Sequence, residues 1–392
     1  MNSFTNGKLV DAVAGEYLPV RIVDPSLFTL AYDEALITAL RAEGCAAVLH
    51  ARASRPGETP PAVPLQAGFY RRFDDAPRRL GGVGAALKAA EHVRNGLALA
   101  GAGPAGAVTH FQWLPFPLAD ASILRRIRRR GPVVVTVHDT RPFNGSPTSG
   151  VQRWGFAAAL AAADRLIVHT EAGRGRLAEL GLAPARIRVI PHGPLGVTRP
   201  LGRRPDAGRF TLVAFGKMRP YKGLDLLAGA LGRLDFRHRT GLRVIVAGEP
   251  LMDLRELRDI VADAGLGGTV EIVPRRLGEA EMERLFERAD GFVFPYREIE
   301  ASGVFYLVQG LGRWVIASGI GAFAEAIEDG ISGRLVPPDD VAALAAALVE
   351  CVELKPSPSA PARVADWGAI ARATLATYAE ARAEWAGRRG AA

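Results

Sequence analysis

The chain has 392 residues, of which 48% are hydrophobic and 23% are charged. This is the composition of a folded globular protein, and the length exceeds what one hydrophobic core ordinarily supports, so two domains of similar size are predicted. The two cysteines, Cys45 and Cys351, lie too far apart for a disulfide-rich scaffold or a cysteine zinc motif, and the net charge of +8 favours anionic partners.

The first half of the chain alternates short apolar runs with longer amphipathic segments, which is typical of βα units around a parallel sheet. The predicted strands are residues 18–24, 45–51, 106–113, 132–139, 164–170 and 185–192. Residues 193–209 are rich in Gly, Pro and Arg and lack periodicity. They therefore predict the end of a first domain, residues 1–198, and a linker at 199–209.

Positive charge is concentrated in this first half. Residues 1–200 carry 24 Lys and Arg against 15 Asp and Glu, a balance of +9, and the remainder carries 25 against 26, a balance of −1. The densest cluster, Arg125, Arg126, Arg128, Arg129 and Arg130, lies beside the apolar Ile123, Leu124 and Ile127. It fits either an exposed helix face or a helix resting on anionic lipid headgroups. Nucleic acid is not expected, because no recognition module is found.

A second alternating series begins after the linker. Its predicted strands are residues 210–216, 242–248, 269–274, 291–296 and 314–318. A Pro- and Ser-rich hinge and a final helix follow, so the domains are 1–198, 210–365 and a terminal helix and tail at 366–392. The predicted architecture is α/β, with two Rossmann-like domains facing a central cleft. No apolar run approaches the roughly 20 residues that span a bilayer, and no signal peptide is recognised, so we expect a cytoplasmic protein.

The most informative segment is residues 211–227, where an apolar strand ends at Gly216 and Lys217, Arg219 and Lys222 follow. The carboxyl ends of parallel strands are where open α/β sheets bind ligands. A phosphorylated ligand is therefore expected here, and an exposed turn whose cations face water is the alternative.

A second segment places Ser302 and Gly303 immediately before a predicted helix. Helix starts expose free N–H groups and a partial positive charge, so these residues can hold a diphosphate through main-chain donors. An ordinary helix cap is the alternative. Together with the cations after Gly216, two sources of positive potential are expected to meet in one pocket.

In order along the chain, several segments resemble family 4 glycosyltransferases, which have the two-domain GT-B fold. They are residues 133–139 (VVVTVHD), 164–177 (DRLIVHTEAGRGRL), 186–193 (RIRVIPHG), 216–227 (GKMRPYKGLDLL), 298–304 (EIEASGV) and 321–348 (GAFAEAIEDGISGRLVPPDDVAALAAAL). The resemblance covers most of the chain from about residue 106 onward, and residues 1–105 match only in general layout. It implies a carboxyl-terminal helix that crosses back to the amino-terminal domain.

The resemblance also implies a retaining hexosyltransferase of polysaccharide or glycoconjugate biosynthesis. It would move a sugar from a nucleotide diphosphate donor on the second domain to a glycan or lipid-linked acceptor on the first, at the inner face of a membrane. No Asp-x-Asp motif occurs. Cations are therefore expected to replace a metal ion, and no cofactor is expected.

Residue roles carry over position by position. The implied catalytic residues are His138, Lys217, Arg219, Lys222 and Glu300. The implied donor-binding residues are Gly216, Glu298, Ser302, Gly303 and Val304, and the acceptor-side residues are Phe28, Thr29, Trp113 and Asp139. Structural roles are favoured for the other histidines at strand ends, His110, His169 and His192.

The chain departs from the family at its paired glutamates. Glu300, or Glu298, takes the first position, but either Leu307 or Val308 stands at the second, which in the family binds the nucleotide ribose. Gln309 can substitute only if the helix is rotated by a residue or two. This loss keeps two other hypotheses open, a catalytically silent GT-B scaffold that binds nucleotide or glycan and a nucleotide-sugar epimerase.

Overall fold

The computed structural model describes residues 18–140, 150–196, 202, 208–358 and 365–390. The described residues form two β-sheets. Neighbouring strands in both sheets run parallel to each other. The first is formed by β1 (Pro19–Val23), β2 (Ala46–Arg52), β3 (Leu65–Phe69), β4 (Val108–Phe111), β5 (Val133–Thr136), β6 (Arg165–Val168) and β7 (Ile187–Val189). Its strand order is β3-β2-β1-β4-β5-β6-β7.

The second sheet has the order β10-β9-β8-β11-β12-β13. Its strands are β8 (Phe210–Phe215), β9 (Leu242–Ala247), β10 (Val270–Val273), β11 (Gly291–Phe294), β12 (Trp314–Ser318) and β13 (Gly333–Val336). Each sheet reverses its strand order beside its first strand. Open α/β sheets bind ligands next to such a reversal.

Helices connect the strands and cover both sheets. They are α1 (Leu30–Ala42), α2 (Ala76–Gly101), α3 (Pro117–Arg128), α4 (Gly150–Ala161), α5 (Glu171–Glu179), α6 (Leu224–Gly232), α7 (Phe236–Gly241), α8 (Arg255–Asp263), α9 (Glu279–Arg288), α10 (Gly303–Val308), α11 (Gly321–Ala326), α12 (Val341–Leu354) and α13 (Trp367–Gly390). None of these described helices is long and apolar enough to cross a bilayer.

All eleven predicted strands are present, but β3 and β13 are additional. Both lie at a sheet edge and are only partly buried, because each has one neighbouring strand. Central strands such as β5, VVVT, are buried at every position and read as continuous apolar runs. The predicted linker, residues 199–209, lies mostly outside the described residues.

The last helix, α13, returns to the first sheet as predicted. It packs along α1, and Tyr378 in its middle is fully buried. The Tyr378 hydroxyl lies 2.7 Å from His110 Nδ1 at the end of β4. Arg165 and Arg188 of the first sheet both bond to Glu380 of α13. These contacts fix the helix on the first domain.

The arginine cluster lies on and just beyond α3. The apolar residues of this helix, Ile123, Leu124 and Ile127, are buried in the first domain. Arg125, Arg126 and Arg129 are exposed, whereas Arg128 bonds to Asp164 at 2.7 Å. Most of the apolar face is therefore used by the core, and α3 offers arginine side chains together with Leu118, which is 45% exposed, to an external partner.

Candidate functional site

The turn after β8 and the start of α10 meet at Gly216. Gly216 has φ of +109°, a conformation that L side chains rarely adopt. A Cβ placed there would lie 2.7 Å from Val304 Cγ2 and 3.0 Å from Lys222 Nζ. Glycine is thus required for this close approach. The two predicted donor segments are brought together at the carboxyl ends of the neighbouring strands β8 and β11.

Lys222 is a buried cation, with only 8% of its surface exposed. Its Nζ lies 5.1 Å from the centre of the Tyr296 ring. Burial, followed by repulsion from Arg219 and Lys217, lowers the pKa of Lys222 to about 8. Arg219 is half-buried and Lys217 is exposed. Within the described residues, none of the three cations forms a salt bridge, so all three are available to an anion.

Ser302 is the N-cap of α10, and its Oγ accepts a hydrogen bond of 3.3 Å from the amide of Phe305. The side chain is therefore committed to the helix, as in the capping alternative. What remains for a ligand is the main chain at the helix start. Gly303 is exposed there and leaves room for close approach, because no atom lies within 4 Å of the position that a Cβ would take.

Glu300 is held across the cleft by the first domain. One of its carboxylate oxygens, Oε2, accepts hydrogen bonds from the Thr140 amide at 2.7 Å and the Thr140 hydroxyl at 2.6 Å. Arg176 Nη2 lies 3.5 Å from the same oxygen. Glu298 is exposed and lines, with Glu300 and Arg176, a cavity of about 260 Å³. The predicted sugar-binding carboxylate therefore faces the interdomain space.

Leu307 and Val308, the two candidates for the position of the missing second glutamate, pack against other parts of the protein. The Leu307 side chain lies against Gly196, at the end of the first domain. Val308 is 1% exposed within the core of the second domain. Gln309 begins a 3-10 turn after α10 and is also buried. The ribose contact made by a glutamate in the family has no carboxylate here.

His138 and Asp139 follow β5, at the edge of the first sheet that faces the cleft. His138 is half-buried, and its Nε2 lies 3.1 Å from Gln112 Oε1. Burial, together with repulsion from the neighbouring histidines, holds the pKa of His138 well below its usual value. Thr140, the next residue but one, binds Glu300. His138 and Glu300 are thus linked through one short segment.

The predicted acceptor-side residues form an aromatic surface beside His138. Phe28 is 66% exposed and stacks on Trp113, with ring centres 4.6 Å apart. The Trp113 ring centre lies 6.3 Å from that of His138. Thr29 differs, because its amide donates to Asp24 at 2.7 Å and holds the turn before α1. Phe28 and Trp113 are therefore the better candidates for acceptor contact.

Thr140 and Arg176 were not predicted from the sequence. Arg176 Nε donates to Thr140 Oγ1 at 3.0 Å, which completes the group around Glu300. The available signal was that Arg176 lies in one of the segments that carry the family resemblance. No local pattern indicated that it would meet a carboxylate from the other domain.

A second contact between the domains is aromatic. His192, after β7, stacks on Tyr306 of α10 with ring centres 3.8 Å apart and planes at 3°. The amide of Leu195 also donates to the Tyr306 carbonyl at 3.0 Å. The donor-side helix α10 therefore rests directly on the first domain.

Two family models match adjacent parts of the chain. The model described as Glycosyltransferase Family 4 matches residues 33–193, and the one described as Glycosyl transferases group 1 matches residues 209–353. Together they cover most of the chain and all the described strands except β1.

Curated relatives and solved structures agree. D-inositol 3-phosphate glycosyltransferase of Mycobacterium ulcerans is 33% identical over 202 residues, 47% of this chain and 42% of the relative. The protein of that name from Mycobacterium bovis is 31% identical over 245 residues, 57% and 50% of the two chains. The chain thus spans about half the length of these relatives.

Solved structures match along almost the whole chain. Anabaena HepE with UDP and glucose matches at TM-score 0.64 with 17% identity, covering 95% of each chain. The galactosyltransferase WaaB of the lipopolysaccharide outer core matches at TM-score 0.62 with 10% identity, covering 95% of this chain and 99% of WaaB. These structural matches show a GT-B fold.

Proposed function

Since the chain belongs to glycosyltransferase family 4, we propose that it transfers a hexose from a nucleotide diphosphate sugar to a glycan or lipid-linked acceptor. The transfer would retain the configuration of the sugar and need no metal ion at the diphosphate. Because HepE was solved with UDP and glucose, UDP-glucose is the first donor to test.

The observation that carries this proposal is the state of Lys222. A buried ammonium group is costly unless an anion compensates it, yet no described carboxylate pairs with this one. It lies against Gly216 and next to Val304, where a helix start adds partial positive charge. A diphosphate supplies the missing negative charge at this position.

The chemistry follows from where charge develops. Negative charge accumulates on the departing diphosphate as the glycosidic bond breaks, and Lys222, Lys217 and Arg219 neutralise it. Such cations do the work that a metal ion does in other transferases. Glu300 would bind sugar hydroxyls once it is released from Thr140, and His138 would lie between sugar and acceptor. Phe28, which is exposed, and the half-buried Trp113 would contact the acceptor.

We further propose that the reaction belongs to polysaccharide or glycoconjugate assembly at the inner face of a membrane. The exposed arginines at and after α3, Arg125, Arg126 and Arg129, support contact with anionic headgroups. A lipid-linked acceptor would then be presented to the first domain.

The test is release of nucleotide from UDP-glucose and other nucleotide sugars, with wild type compared with Lys222→Met. Methionine keeps the volume of the side chain and removes its charge. We expect turnover to fall by about 100-fold or more, because one transition-state charge contact is worth about 3 kcal/mol. The variant should melt no lower than wild type, since an unpaired buried charge is removed.

Lys355→Met is the matched control, because Lys355 is exposed after α12 in the second domain. It should leave turnover unchanged. Undiminished turnover in Lys222→Met, or no turnover with any donor, would overturn the proposal.

A second candidate is a catalytically silent protein that binds the donor. It is favoured by one observation, that Glu300 is already occupied by Thr140 and Arg176. Calorimetry with UDP-glucose, followed by analysis of the sugar, separates the two. Binding without consumption supports the silent protein, and transfer to any acceptor eliminates it.

A further inference from the structure

Three histidines converge at one edge of the first sheet. His138, His169 and His192 follow the consecutive neighbouring strands β5, β6 and β7. One ring nitrogen from each lies within 4.8 Å of those of the other two. His169 and His192 are buried, and His138 is half-buried on the side of the cleft. Neither the proposed donor site nor the diphosphate chemistry uses this arrangement.

In each of the three rings, one nitrogen lies against an oxygen atom; we call it the outer nitrogen and the other the inner nitrogen. His169 Nδ1 lies 3.0 Å from the Ile190 carbonyl, and His192 Nδ1 lies 2.6 Å from the Gly193 carbonyl. A carbonyl only accepts hydrogen bonds, so both nitrogens carry a proton. His138 Nε2 faces Gln112 Oε1 at 3.1 Å in the same way. In neutral imidazoles, the inner nitrogens are then left with lone pairs.

The inner nitrogens of His138 and His169 lie close together. His138 Nδ1 and His169 Nε2 lie 3.1 Å apart, a distance that calls for either a shared proton or a metal ion between the two nitrogens. With the proton of each ring on the nitrogen that faces an oxygen, the other nitrogen is open to a metal ion, and neutral imidazole is the form that binds metal ions.

We propose that His138, His169 and His192 bind one divalent transition-metal ion, with Zn²⁺ as the expected class. Three neutral imidazoles suit such an ion, and each ring already donates its other N–H to an oxygen, as metal-ligating histidines commonly do. Two ligands at about 2.1 Å from one ion cannot be more than about 4.2 Å apart, so any pair of these nitrogens that is farther apart has to move closer on binding.

The ion would join the ends of three strands of the first sheet. Tyr306 stacks on His192, so the order it imposes would extend to α10 of the second domain. The diphosphate cations Lys217, Arg219 and Lys222 follow β8 in the other sheet, and their role does not depend on the ion. His138 is shared with the proposed transfer site, but metal binding is measured without donor or acceptor, so a failure of this inference and a failure of the transfer activity are distinguishable.

The test uses the full chain without an affinity tag, treated with EDTA and then titrated with Zn²⁺ or Co²⁺ alone. We expect one equivalent to bind, a rise in melting temperature with Zn²⁺ concentration, and a visible absorption band with Co²⁺. His169→Gln and His192→Gln should lose the band and the bound equivalent. His238→Gln is the control, because this histidine bonds to Asp235 in the second domain.

Loss of binding in the two cluster variants only would support the site. Wild type that binds no equivalent of either ion, or binding that survives in both cluster variants, would overturn it. A shared proton between His138 and His169 is then the remaining account of their short contact. If a variant fails to fold, the stoichiometry and the cobalt spectrum of wild type still decide.

Discussion

At the scale of single residues, Lys222 is a charged side chain that is almost completely buried. The pKa of about 8 lies below the usual 10.5 because the surroundings penalise the charged form. The folded chain thus binds fewer protons than the unfolded chain between those two values. By linkage, the contribution of Lys222 to the free energy of unfolding rises as pH increases from about 8 to 10.5. A bound diphosphate acts in the opposite direction and favours the protonated form.

The affinity for a nucleoside diphosphate is therefore expected to fall above about pH 8. Below this pH Lys222 is already charged, whereas above it binding has to include uptake of a proton, so the affinity drops by up to tenfold per pH unit. Calorimetry with UDP at pH 7, 8 and 9, in buffers of different ionisation enthalpy, measures both the affinity and the proton uptake. Lys222→Arg, which stays charged, should bind with little change over this range. Equal slopes for wild type and variant would contradict the assignment.

Part of this site was predictable from local sequence. Lys222 and Gly216 follow an apolar strand, and open parallel sheets bind their ligands at the carboxyl ends of such strands. The partners of Glu300 were not predictable in this way. Thr140 lies 160 positions away, and its contact depends on how the two domains face each other. The missing glutamate was visible in the sequence, but the packing of Leu307 against Gly196 was not.

At the scale of secondary structure, α3 has two faces with different tasks. Its apolar side packs into the hydrophobic core of the first domain, and its exposed arginines continue past the end of the helix. A membrane contact through this element is mainly electrostatic, because Leu118 is the one large apolar side chain that the described α3 exposes. It should therefore depend strongly on ionic strength.

Replacing Arg125, Arg126 and Arg129 together with Gln should weaken binding to anionic vesicles by about 100-fold, since each cation near the surface contributes about 1 kcal/mol. Sedimentation with anionic and neutral vesicles, at low and high salt, measures this. The control replaces the exposed arginines Arg233, Arg237 and Arg255 of the second domain with Gln. Equal sedimentation of both triple variants, or none for wild type, would refute membrane contact through α3.

Elements were predictable where the pattern was strong. The central strands are buried throughout and stand out as apolar runs, and α13 follows a Pro- and Ser-rich segment. The edge strands β3 and β13 were missed, because LQAGF and GRLV are short, contain glycine and are only partly buried. Their pairing with β2 and β12 makes them strands, and this is tertiary information.

At the scale of the whole molecule, the described domains touch at several polar points. Glu300 reaches Thr140, and the amides of Glu171 and Ala172 at the start of α5 donate to Glu325 of α11. Carboxylates from the second domain thus bind main-chain and side-chain donors of the first. Polar contacts of this kind break at modest cost, which permits relative motion of the domains.

Thr140→Val tests whether the Glu300 contact opposes donor binding. The variant loses the hydroxyl that donates to Glu300, so less energy is needed to release the carboxylate for sugar hydroxyls. We expect UDP-glucose to bind up to about tenfold more tightly, because a hydrogen bond to a charged group contributes about 1.5 kcal/mol. Titration calorimetry measures this, and UDP, which has no sugar, is the control ligand. Weaker binding of UDP-glucose would mean that Thr140 keeps Glu300 in its working position.

The coplanar rings of His192 and Tyr306 offer a spectroscopic view of these motions. A nucleus placed over the face of an aromatic ring experiences its ring current, and the effect decays steeply as the rings slide. A fluorinated tyrosine introduced at position 306 alone would therefore give a resonance whose frequency reports how α10 is seated on the first domain. It would do so before any acceptor is known, and without any turnover of the donor.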